Sequence, residues 1–123
     1  MSNHEQREDE SLQARRQRLR EAAKRKQKMN GADRWEPAAG EVLEGEYLGS
    51  RMATHEQYGS APVYYVEEFE TEQVYKLLGR TVLRNEMQQQ VPEPGDLVAI
   101  TFEGMKNSDD AVGEFYAYDV VTA

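Results

Sequence analysis

The chain has 123 residues, with 15 Lys and Arg against 23 Asp and Glu and no cysteine, for a formal charge of −8. That length allows one domain with an appendage, and the lack of thiols excludes disulfides and thiolate-held metals. No run approaches the roughly 18–20 apolar residues of a membrane span, and the acidic start (Glu5, Glu8, Asp9, Glu10) has neither the apolar centre of a secretory signal nor the character of a mitochondrial presequence.

The charges are sorted along the chain. Residues 1–33 hold nine Lys/Arg against six Asp/Glu, whereas residues 34–123 hold six against seventeen, a balance of −11. A basic arm on an acidic body offers two surfaces that attract opposite partners over a Debye length of about 8–10 Å. The first ten residues are polar and are expected to be disordered. From Ser11 to Met29 good helix formers (Leu12, Ala14, Leu19, Ala22, Ala23) alternate with Arg, Lys and Gln, and Glu21 precedes Arg25 by four residues in the supportive orientation. The apolar stripe is thin, so this helix is expected to be frayed until something binds it. Asn30-Gly31 reads as its stop, with the glycine in the left-handed position. The arm is therefore placed at 1–33, a linker containing Pro37 at 34–40, with Trp35 available to pin it, and the body at 41–123.

The body reads as β. Residues 41–53 form a long strand in which Gly45 and Gly49 mark a bend or bulge. His55–Pro62 is expected to be a loop. Residues 63–70 and 73–78 give two further strands around a tight turn at Thr71-Glu72. Val82, Leu83, Glu86 and Met87 recur at helical spacing within Gly79–Gln90, with Thr81 as the cap, and Val91–Asp96 breaks that helix with two prolines and a glycine. Val98, Ile100 and Phe102 alternate in a strand at 97–104, Lys106–Gly113 is a polar loop, and 115–122 is a closing strand. The order predicts a mainly β fold: a five-stranded OB-fold-like barrel with one short helix between strands 3 and 4, preceded by a basic helical or disordered N-terminal arm.

The segments GEVLEGEYLG (40–49), LLGRTVLRNEM (77–87) and PGDLVAITFEG (94–104), with the aromatic closing strand at 115–118, resemble those of small OB-fold proteins and domains encoded by bacteriophages and related mobile elements. The resemblance covers the body alone. It implies the OB fold and an association with single-stranded DNA binding, replication or recombination, or a place in a virion as a binding module. One departure stands out: a strand-binding barrel is usually basic along its groove, and this body is acidic.

Nucleic-acid-binding OB folds stack bases on aromatics of the second and third strands. Tyr64 or Tyr65, Phe69 and Tyr75 fall there, with Arg51, Lys76 and Arg80 near enough for phosphates. The same rings serve equally as barrel packing, and Glu67, Glu68, Glu70 and Glu72 would repel a phosphate backbone. The arm residues Arg15, Arg16, Arg18, Arg20, Lys24, Arg25, Lys26 and Lys28 suit phosphates through counterion release, or an acidic protein surface. They lack the anchors of a membrane-surface helix. Asn107, Asp109, Asp110 and Glu114 carry oxygen ligands without calcium-loop spacing, and His4 and His55 stand alone, so neither a metal nor a cofactor is expected. Without a nucleophile elbow, a phosphate-cradling glycine loop or a paired His and carboxylate, no catalysis is expected. The sequence thus predicts a non-enzymatic OB-fold binding protein acting with nucleic acid, single-stranded in preference to duplex, in a cytoplasm (the host's if viral) or a virion. The alternative is a structural or regulatory module of a larger assembly whose arm orders on an acidic partner.

Overall fold

The computed structural model describes residues 2–57, 59–107 and 114–123, and the side chains of 11–54, 56–57, 59–106 and 115–123. The arm is one helix, α1 (Ser2–Asn30), of about 43 Å at 1.5 Å per residue. It takes in the opening residues that sequence polarity assigns to disorder. Its end also differs from expectation: Gly31 is not left-handed, and the last turn closes by tight bonds from the Gly31 and Ala32 amides to the Lys28 and Met29 carbonyls.

Among the described residues six strands follow in a single mixed sheet: β1 (Asp33–Arg34), β2 (Val42–His55), β3 (Gly59–Glu68), β4 (Val74–Leu78), β5 (Leu97–Asn107) and β6 (Glu114–Thr122), in the spatial order β1-β4-β3-β2-β5-β6. A second helix, α2 (Thr81–Gln90), lies between β4 and β5 in the chain. The mainly β class and the element order agree with the sequence. Among the described residues the expected five strands are six, and the expected loop at 55–62 is partly strand, with His55 ending β2 and 59–62 opening β3.

β2 organises the sheet because it serves two partners. Val42–Glu46 pairs with β5, and Gly45–His55 pairs with β3. Two glycines permit the change of partner. A side chain on Gly45 would strike the Glu67 carbonyl, so only hydrogen allows β2 and β3 to approach there. Gly49 follows the register shift after Tyr47 with φ +134°, a conformation that L side chains rarely adopt.

The sheet is not closed into a barrel. The β4 edge that β6 would need is taken by the chain leaving α1: Asp33 and Arg34 pair in parallel with Tyr75 and Lys76, and the Trp35 amide donates to the Lys76 carbonyl at 3.1 Å. The predicted linker is thus partly strand.

Alternation sets the two faces. On the inner face Leu43, Tyr47, Tyr64, Val66, Leu77, Val98, Ile100 and Val120 pack with Leu83 and Met87 of α2, and Trp35, Tyr75 and Tyr118 flank them. Burying each such aliphatic side chain is worth about 1.5–3 kcal/mol. On the outer face a smaller cluster joins Leu48, Tyr65 and Val74 to Met29 of α1. α2 begins at Thr81 with extended Arg80 before it and no side chain capping it, so Thr81 is a first-turn residue rather than the cap. The β3–β4 turn falls where expected but is wider than a two-residue hairpin. Glu72 takes φ +58°, and Thr71 accepts the Gln73 amide and donates to Glu68.

Candidate functional site

Among the described residues α1 meets the sheet only through its last turns. Residues 11–24 are all exposed, and Met29 alone is buried. Arg51 of β2 holds this end. Its guanidinium donates to the Asn30 side-chain oxygen at 2.8 Å and to the Lys26 carbonyl at 3.2 Å, and stands 5.5 Å from the centre of the Tyr65 ring. A cation at a helix C-terminus is favourable by about 0.3–1 kcal/mol because the last carbonyls lack partners, and a guanidinium over an aromatic ring adds about 0.5–1 kcal/mol or more. Lys28 reaches the Glu67 carboxylate at 3.0 Å, a partly exposed pair worth at most about 1 kcal/mol.

The rest of the arm stands away from the acidic body. Arg25 pairs within the helix with Glu21 at 3.9 Å. Among the described residues Arg15, Arg16, Arg18, Arg20, Lys24 and Lys26 form no ion pair. Arg16, Arg20 and Lys24 follow one another at four-residue spacing, which sets them in a line on one side of the helix with a rise of about 6 Å per step.

The aromatics singled out from the sequence are not presented together. Tyr64 lies in the main core at 6% exposure. Burial pushes its phenol up, nearby Tyr47 adds to this, and Arg84 opposes it. Tyr75 is half-buried against the same core. Tyr65 is covered by Met29 and Arg51, so the outer face of β3 and β4 near it is occupied by the end of α1. Phe69 is exposed in the β3–β4 turn. Arg51 is engaged with the helix, whereas Lys76 and Arg80 are exposed and come together elsewhere.

That place is the seam between β4 and β6, a cleft of about 370 Å³. Trp35, Phe102, Tyr116 and Tyr118 supply its rings. Phe102 lies 5.3 Å from Tyr118 and 6.0 Å from Tyr116 between centroids, both tilted. Arg34, Lys76 and Arg80 supply positive charge, and Glu36 is the one acidic side chain lining it among the described residues. Burial pushes the Tyr118 phenol up, Tyr116 adds to this, and the guanidinium groups of Arg80 and Arg34 pull the other way, so both arginines lie within electrostatic reach of that hydroxyl.

The sequence reading did not assign Arg34, Phe102, Tyr116 or Tyr118 to a site. The available signal was the alternation of 116, 118 and 120, which puts both tyrosines on the face of core Val120, opposite Phe102. Asp109 and Asp110, and the side chains of Asn107 and Glu114, lie outside the described residues. Among the described residues no helix is long and apolar enough to cross a membrane. Comparison with known proteins brings no relative: no family model, curated protein or solved structure matches this chain significantly.

Proposed function

We propose that this is a non-enzymatic nucleic-acid-binding protein of the OB-fold type that bacteriophages encode, in which the projecting basic helix contacts the phosphates of a single strand. The strand order β4-β3-β2-β5-β6, the helix between β4 and β5 and the long coiled β2 support the OB reading. The OB barrel is itself a partly open one, and here β1 takes the edge that closure would use. The observation that carries the function is the anchoring of α1. It is fixed at Lys26–Asn30, while the cations from Arg15 to Lys24 stay exposed and, among the described residues, do not pair with the acids of the body.

Each phosphate that such a cation neutralises on a single strand releases about 0.7 of a counterion. A duplex carries one charge per about 1.7 Å of axis and would be repelled more strongly by seventeen body carboxylates. Fluorescence anisotropy at low salt tests this. A labelled single strand binds the native chain more tightly than a duplex, and charge reversal at Arg16, Arg20 and Lys24 (R16E/R20E/K24E) abolishes binding. Unchanged binding by that variant, or none by the native chain, contradicts the proposal.

A second reading has its own observation. Leu12 and Leu19, one heptad apart on α1, are 48% and 69% exposed, which suits a partner helix in a larger assembly. If that reading governs, Leu19→Glu removes partner capture and leaves oligonucleotide binding untouched.

A further inference from the structure

The body from residue 34 onward holds only six Lys/Arg among seventeen Asp/Glu, yet Arg34, Lys76 and Arg80 all line the seam cleft. The same cleft gathers four aromatic rings and lies within the range of about 300–1,000 Å³ typical of small-molecule sites. Rings beside cations match a ligand with one flat apolar face and one anionic group. An acidic peptide uses the cations but has little use for so much ring surface, and the stacked bases of a duplex offer no free face.

We propose that the cleft is a subsite for one unpaired nucleotide of a single strand, its base against the rings of Trp35 and Tyr116 and its phosphate at Arg34 and Lys76. This rests on the nucleic-acid reading of the arm and adds to it a second, stacking contact. Base–aromatic stacking tolerates any sequence because every base has a π face. The path from arm to cleft is short. Three residues separate Asn30 at the end of α1 from Arg34, and Val74, packed on Met29, sits about 6.6 Å along β4 from Lys76, which pairs with Arg34. A strand lying along α1 is thereby delivered to the seam across the edge of β4.

Trp35 is the only tryptophan in the chain, so its emission reports on the cleft directly. The native chain is titrated with an oligothymidylate of about 12 nucleotides, within the usual span of single-strand sites. The unlabelled strand is followed by Trp35 emission and the labelled one by anisotropy. Trp35 is quenched saturably, with the midpoint given by anisotropy. The double variant R34A/K76A, both exposed positions, lowers the slope of log K against log salt by about 0.7, for the one phosphate the two side chains share. Tyr116→Ala, 42% exposed in the native chain, weakens binding by about fivefold or more. Binding by anisotropy with unchanged Trp35 emission and native-like variants overturns the subsite and leaves the arm's role standing. Absence of all binding overturns both. Quenching by polyglutamate but not by the oligonucleotide overturns the subsite and reassigns the cleft to acidic peptides.

Discussion

Single residues decide where this chain bends and how it titrates. Gly45 faces the Glu67 carbonyl with no room for a side chain. Gly45→Ala therefore forces β2 from β3 and costs about 2–3 kcal/mol, read as a lower urea midpoint. Tyr47, Tyr64 and Tyr118 have phenols pushed above their ordinary value, chiefly by burial. Because the folded value exceeds the unfolded one, near 10, the associated stability is fully present below that pH. It is lost as pH rises through the folded values, where the unfolded chain has already released its protons. In an alkaline titration these phenols are expected to ionise late, together with loss of the fold. Ionisation of every tyrosine near the ordinary value with the sheet intact would contradict this burial.

At the scale of elements, the two helices end differently. α1 ends under Arg51, so Arg51→Ala should loosen Lys26–Asn30 by about 1 kcal/mol and speed amide exchange there, without lowering the melting point of the sheet. Equal exchange in both proteins would show that Met29 and the Lys28–Glu67 pair anchor the helix without Arg51. α2 ends at Val91, a β-branched residue held at φ +45° and 69% exposed. Left-handed strain in such a residue costs about 1–3 kcal/mol, so Val91→Gly should stabilise the fold by about 1 kcal/mol once glycine's backbone entropy is set against it. The main strands and α2 were legible because their apolar residues alternate or recur at helical spacing, and because Gly45 and Gly49 interrupt one long strand. β1 was not, since Asp33-Arg34 carries no period and gains its partners only from β4. Tyr64 and Tyr65 are neighbours that fall on opposite faces, and composition alone does not tell which one faces the core. Arg51 finds its partners 21 and 25 residues earlier in the chain, a contact that only the tertiary fold creates. The seam cleft draws on segments around 35, 76, 102 and 116, and its residues become a set only when β6 and the chain after α1 flank the same gap.

Over the whole molecule, the sorting of charge in the sequence becomes a sorting in space. A body of net charge −11 from residue 34 onward holds a basic helix by one end, and the cations from Arg15 to Lys24 stay exposed along it. The body's own positive residues are spent differently: Arg51 secures the helix, and Arg34, Lys76 and Arg80 converge on the seam. On the function proposed above, this arrangement favours a flexible single strand of lower charge density over a duplex, because the strand can follow α1 while avoiding the carboxylates. The salt dependence of single-strand binding tests that account most directly, comparing the native chain with R16Q/R20Q/K24Q, in which three exposed cations are neutralised. The account predicts a steep fall of affinity with salt for the native chain and a slope shallower by about 2 for the variant, at 0.7 per lost phosphate contact. Identical slopes for the two proteins would contradict it.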